Sequence, residues 1–378
     1  MMDLLKHELF KIISRKSVLI VAVLLLLTYG LFIASRSDHY HNASQEYKPY
    51  ERVITEADRE MVLKVFEDEE RYNKDTPPSE RGLLQDIWDI QSMQAGYERQ
   101  LEEIRAQLDR SVLGSYEYKQ HALHEQLLLE KGPPSGQVYY NKPWAYMIDM
   151  IDQFGVAFMG AMILIGLASL YSEEYSTGMD SLLLSSRKGK GKLITAKCCA
   201  AIIYTSSCCF LFALINIVVH ALLFGNLDGA NTPLYSLSKY GDSHPFGTSP
   251  YSLMVGQYYA IQLGVHLVGS VAFGLAVMFI SSLSASSFVT LFVSGCILGV
   301  PYLLNDLFNM QIQVIEWLSF YSYSQLMRVT RLFNYFQTVN LGNIPVLYPV
   351  AALSVITVVT GLLVWGTRLV FRKHQVSA

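Results

Sequence analysis

The residues whose type and spacing suit chemistry fall into a few small groups. Glu173 and Glu174 are adjacent acids, followed by Gly178 and then by the basic run Arg187-Lys-Gly-Lys-Gly-Lys192. That run has the composition of a phosphate-cradling loop but lacks the Gly-x-x-x-x-Gly-Lys-Ser/Thr spacing and a preceding strand, so it does not hold a nucleotide in that way. His124-Glu125 begins like a zinc-protease helix, yet Leu128 stands where the second His is needed. Glu173-Glu174-Tyr-Ser-Thr meets Gly178 where an intramembrane protease motif has Arg. His39 with His41, and His121 with His124, are paired, but no acid or Cys completes a metal set. Cys198, Cys199, Cys208, Cys209 and Cys296 all lie in apolar runs without zinc spacing, and read as small buried hydrophobes. No Ser/His/Asp arrangement stands out. The expectation is a chain that is not an enzyme and carries no metal or cofactor of its own.

The other candidates are polar residues inside apolar runs. Gln262 and His266 lie one turn apart, as do Asn216 and His220. At membrane depth such groups face protein or water. Gln262, His266 and Asn216 are therefore candidates for a translocation path. The plainer reading, interhelical hydrogen bonding, is the one we favour. Asp149 and Asp152 fall at the outer mouth of an apolar run, either lining an exit or, as we favour, wetted at the interface.

The elements that carry these residues are those of a bilayer protein. Of 378 residues, 51% are hydrophobic and only 16% charged, against roughly 25% charged in soluble domains. Mean hydropathy is +0.27. The net charge of −3 says little, because residues 36–148 are acidic on balance while the apolar runs have basic flanks. That segregation speaks to topology, and no basic patch is laid out for nucleic acid.

In chain order, residues 1–16 read as an amphipathic helix. Leu5, Leu9, Ile12 and Ile13 share a face, and Lys6, Lys11, Arg15 and Lys16 lie elsewhere. Such a helix rests on the inner leaflet, and no cleavable signal is expected. The first span is 17–35. Residues 36–148 form a helical extracytoplasmic insertion. Leu83, Ile87, Ile90, Gln94, Tyr97, Leu101, Ile104 and Leu108 follow a heptad seam. A helix with Ile54, Met61 and Val65 on one face precedes it, and one with Leu123, Leu127 and Leu128 follows. This domain either binds a ligand or partner, caps a pore, or is a rigid appendage. The membrane domain, 149–378, holds spans at Phe154–Tyr171, Cys198–Phe224, Ser252–Ile280, Phe288–Leu304 and Pro349–Val370. Gly295 and Gly299 stand at GxxxG spacing, which suits close helix packing. The aromatic-rich stretch 305–348 reads as short helices at the outer interface, with Asp306 and Glu316 as candidate partners of Arg328 and Arg331. The fold class is all-α: a polytopic membrane protein of six spans with both termini inside.

Between the second and third spans, 173–197 is the loop on which function turns. Its patch Leu182, Leu183 and Leu184 is too short to span. It suits a short interfacial helix followed by a basic tail, or an ordinary positive-inside loop. Glu173-Glu174, Thr177-Gly178, Leu182 to Ser186, Arg187 and Ala196-Lys197 together resemble the signature loop of type 2 ABC exporter permeases. Ser186 stands where that family often has Pro. The resemblance covers the chain except about 36–148. It implies a permease subunit of an exporter in a bacterial plasma membrane. It also implies a separate cytoplasmic ABC ATPase partner holding the ATP and Mg, and a second permease copy or homologue as dimer partner. Residues 1–16 would be an elbow helix. Glu173, Glu174, Gly178, Leu182, Leu183, Leu184 and Arg187 would couple to the ATPase, the acids pairing with its basic groups or with Arg187. Gly295 and Gly299 would pack the dimer. The competing expectation is a membrane-anchored extracytoplasmic binding or sensor protein, whose spans are only scaffold.

Overall fold

The computed structural model describes residues 2–34, 45, 47–67, 78–178, 189–240, 245–304, 308 and 313–373. It is mostly helical, and five helices are long and apolar enough to cross a membrane: Lys16–Ala34, Lys142–Ser176, Gly191–Phe224, Val255–Leu283 and Tyr348–Phe371. A further apolar helix, Ser287–Tyr302, has 16 residues. At 1.5 Å per residue it reaches only about 24 Å, short of a roughly 30 Å hydrocarbon core.

Helix α1 (Met2–Ile13) breaks at Ser14–Arg15 and leads into α2 (Lys16–Ala34). The inward face of α1 is Leu5, Glu8, Leu9 and Ile12, packed on the start of α9. Phe10 and Ile13 remain exposed. The expected apolar stripe therefore holds, except that Ile13 faces out and an acid sits in its middle. Helix α2 buries little beyond Val18, Tyr29 and Ile33, as a helix facing lipid does.

The segment between the first two long apolar helices has α3 (Glu56–Glu67), α4 (Pro78–Arg110) and α5 (Tyr116–Lys131). Thr55 starts α3 by donating its amide and hydroxyl to Asp58 Oδ2 at 2.8 and 2.6 Å, so the acid of the first turn reaches back to the residue before the helix. Val62, not Met61, is the buried residue of α3, and Met61 is 40% exposed. The heptad seam of α4 holds as drawn: Leu83, Ile87, Ile90 and Ile104 are buried. Its first half joins Tyr47, Ile54, Val62, Val138 and Tyr140 in a small separate core. Its second half pairs with α5, where Tyr97 donates to Leu128 O at 3.2 Å and Arg105 bonds Glu125 at 2.7 Å.

The second apolar helix is continuous but irregular. It runs as α6 (Lys142–Asp149), a π turn (Met150–Gly155), α7 (Val156–Leu167) and, after a break, α8 (Ser172–Ser176). Ser281 patches that break, accepting from Tyr171 N and Ser172 N at 3.0 and 3.2 Å and donating to Ala168 O at 2.9 Å. Helix α9 (Gly189–Phe224) starts well before the expected third span, and α10 (Val255–Leu283) lies at the centre, touching most other membrane helices. Then come α11 (Ser287–Tyr302), the short α12 (Gln313–Phe320), α13 (Tyr323–Arg328) and α14 (Thr330–Phe333), and α15 (Tyr348–Lys373).

Two features of 305–348 differ from expectation. Helix α13 packs against the middle of α10 rather than near its end: a Cβ on Gly269 would lie 3.2 Å from Leu326 Cβ. Non-helical backbone there is tolerated when buried in protein, and Val329 and Thr330 are buried. Val329 joins α13 to α14 at φ 68°, a strained value for a β-branched residue. The segment also ends in a β-hairpin, β1 (Thr338–Asn340) against β2 (Pro345–Leu347), with Gly342 and Asn343 at positive φ in its turn. Arg328 lies over the Tyr302 ring and Arg331 over that of Phe320. Asp306 and the Glu316 side chain lie outside the described residues.

Candidate functional site

At one end of the bundle α1, α8 and the start of α9 converge. Each brings charge: Lys11 and Arg15 from the N-terminal segment, Glu173 and Glu174 from α8, Lys197 from α9. Lys197 is wholly buried. Its ammonium donates to Glu174 Oε1 at 2.6 Å, Glu8 Oε2 at 3.0 Å and Leu170 O at 3.0 Å, which uses all its hydrogens. The Tyr171 ring lies 5.1 Å beneath it, so the cation also meets a π face. Glu174 takes Lys11 Nζ at 3.4 Å, and half-exposed Glu173 takes Arg15 Nη2 at 2.6 Å. Arg15 Nη1 further bonds Gly166 O and Ser169. A buried ion set is tolerable only when its charges are paired, and here the pairing is through Glu174 Oε1, Glu174 Oε2 being buried without a hydrogen-bond partner.

The acids at 173 and 174 thus find their partners on α1 and α9 inside the chain. Gly178 follows at φ 70°, a left-handed turn that favours glycine. Leu182, Leu183, Leu184 and Arg187 lie outside the described residues.

A second constellation forms at the π turn. The helix there shifts from i−4 to i−5 hydrogen bonding, and the carbonyls just before it take side-chain donors. Asn216 Nδ2 donates to Met147 O at 2.9 Å, and Gln262 Nε2 to Ile148 O at 3.2 Å. Gln262 Nε2 also donates to Asp152 Oδ1 at 3.1 Å, and the Thr330 hydroxyl meets Asp152 Oδ2. Tyr29 donates to Asn216 Oδ1 at 3.2 Å. His266 Nδ1 bonds Met327 O at 2.6 Å. Asn216, Gln262 and His266 are therefore buried, and each bonds a neighbouring element. Asp152 is not wetted at the interface: only 7% of it is exposed.

The structure brings Gln262 and His266 together with Asp152, and sets Asn216 against the same stretch of helix. Gly295 and Gly299 stand apart from both constellations. Leu164 Cδ1 approaches Gly295 at 4.0 Å, and nothing lies within 4 Å of a Cβ on Gly299. Sequence reading missed Glu8, Tyr258 and Thr330 altogether, and took Lys197 as loop charge and as the end of the resembling loop, not as a buried cation. A lone acid in the stripe Leu5–Leu9–Ile12 was the available signal for Glu8.

No protein-family model matches this chain, and no curated protein or solved structure does.

Proposed function

We propose that this chain is the six-span membrane subunit of a type 2 ABC exporter, driven by a separate cytoplasmic ATPase that carries the ATP and Mg. In this reading α11 is the fifth of six spans, both termini are cytoplasmic, and residues 36–148 lie outside. The observation that carries it is the ion cluster of Lys197, Glu8 and Glu174, with Arg15 on Glu173. It ties the amphipathic α1 rigidly to both ends of the 173–197 loop. A push on that loop would then move α1, α7 and α9 as one body, which is what a lever between an ATPase and a pore requires.

This placement also decides how coupling is tested. Reversing charge at Glu174 would bury like charges beside Lys197 and Lys11 and break folding, so it does not probe docking. Removing Leu182–Leu184 leaves the cluster intact. The complex of the wild-type chain with its ATPase, reconstituted in vesicles, should hydrolyse ATP faster than the ATPase alone. The leucine deletion should abolish that stimulation while the chain still melts as wild type. A deletion variant with undiminished stimulation, or a chain that purifies with no nucleotide-hydrolysing companion, would overturn the reading.

A further inference from the structure

Asp152 is a carboxyl group inside the second apolar helix, and the coupling reading leaves it unused. Among the described residues no basic group lies within ion-pair distance of it, and both its oxygens meet neutral groups. An ionisable side chain at such depth is retained for function more often than for stability. Its neighbours come from separate elements that meet at the π turn. Gln262 and His266 stand on α10, Thr330 on α14, and Tyr258, wholly buried, bonds the Thr330 hydroxyl at 3.1 Å. Two polar atoms of this layer, Gln262 Oε1 and His266 Nε2, are buried without a hydrogen-bond partner. The His266 ring abuts Gly155, where a Cβ would lie 3.2 Å from its Cε1.

We propose that Asp152 is a proton-binding site within the membrane, whose occupancy sets the direction of the hydrogen-bond chain Asp152–Thr330–Tyr258. Gln262 Nε2 has both hydrogens committed, to Ile148 O and to Asp152 Oδ1. With Asp152 ionised, Thr330 donates to Oδ2 and Tyr258 donates to Thr330. With Asp152 protonated on Oδ2, that O–H donates to Thr330 and the two hydroxyls turn the other way. No heavy atom needs to move. The proton adds to the carboxylate from water and leaves to water, so the step balances without a co-reactant. The charged and titratable groups around the site are Asp149 one turn earlier, Tyr258 and His266 on α10, and Arg328 on α13. Arg328 and Asp149 act on it through space. Helix α7 contributes none.

The proposal does not depend on an ATPase, and its test needs none. The full chain, in phosphatidylcholine vesicles, is treated with dicyclohexylcarbodiimide, an apolar reagent that attacks protonated carboxyls. Adducts are mapped by mass spectrometry between pH 5 and 9. Asp152 should be labelled at the acid end and lose the label as pH rises, through one titration. Asp152→Asn should carry no adduct at that position. Thr330→Val removes a donor to the ionised form, so its titration should shift to higher pH by about one unit, the tenfold expected for one hydrogen bond to a charged group. Tyr258→Phe, one bond further along the chain, should shift it in the same direction by less. Labelling that is absent at every pH, or constant at every pH, would overturn the proposal. A titration unmoved in Thr330→Val would remove the hydrogen-bond chain from it.

Discussion

Lys197 illustrates what a single buried charge demands of its surroundings. Its ammonium has exchanged water for two carboxylates, one carbonyl and a ring face. Replacing it with Met leaves Glu8 buried and uncompensated, and leaves Glu174 with Lys11 alone. The expected cost is about 3–5 kcal/mol, the usual penalty for removing one partner of a buried pair, read as a lower midpoint in thermal unfolding in detergent. The triple replacement Glu8→Gln, Glu174→Gln, Lys197→Met should regain most of that loss, because no charge is then stranded. A single variant as stable as wild type would show that the cluster is not closed in solution. At this scale the sequence was half legible. Glu8 interrupts an apolar stripe and so required a buried partner, but that partner lies 189 residues away, beyond any local pattern. Thr330 carried no signal, since an isolated Thr beside an Arg is ordinary until Val329 turns the chain and aims it at Asp152.

Among the elements, the short helix α13 depends on glycine for its close approach to α10. A Cβ on Gly269 would lie 3.2 Å from Leu326 Cβ and 3.3 Å from its carbonyl carbon, and backbone gives way less easily than a side-chain tip. Gly269→Val should therefore cost about 1–3 kcal/mol, as overpacking does, with faster hydrogen exchange confined to 313–333. Gly299 is the contrasting case, since nothing in this chain meets a Cβ there. Gly299→Leu should leave the unfolding midpoint of the monomer unchanged. If a second permease copy packs on that face, the same variant should shift the protein from dimer to monomer in light scattering, as blocked small-residue faces do. The long apolar runs were legible because a span must satisfy its own backbone and so must be helical. The hairpin at 338–347 was not, because the aromatics before it suggested interfacial helices. The Gly342-Asn343 turn between Val339 and Val346 was the signal available. The extension of α9 back to Gly189 was hidden by its lysines, which read as loop charge although Lys197 points into protein.

The whole molecule joins the α3–α5 segment to the bundle of long apolar helices through α5, and that junction is sensitive to acid. His124 stacks on Phe336 with ring centroids 3.9 Å apart, and Tyr116 and Lys119 bond Thr338 and Asn343 of the hairpin region. At the far end of α5 Lys131 donates to Gly247 O and Ser249 O at 3.0 and 2.7 Å. None of these pairings was legible in sequence, because each joins segments more than a hundred residues apart whose composition is ordinary surface. They are also why 36–148 is a docked domain rather than a free appendage. Burial, with His121 and Lys131 nearby, lowers His124 from 6.5 to about 4, so the docked imidazole is neutral. Once undocked it regains its ordinary value, and the undocked state then binds more protons between those limits. Docking is thus at full strength above pH 6.5, weakens as pH falls towards about 4, and changes no further below that. Lys131, lowered by burial from 10.5 to about 8, acts in the same sense in a separate window, so docking tightens again as pH rises from about 8 to 10.5. Spin labels at Glu117→Cys and Leu341→Cys should report a narrow distance distribution at pH 7.5 and a broader one at pH near 4.5, the acid side of the His124 window. His124→Phe keeps the stack and removes the titration, so its distribution should stay narrow at both values. A wild-type distribution that does not change with acid would mean that the junction does not rest on a neutral His124, and that the contacts of Tyr116 and Lys119 hold the domain by themselves.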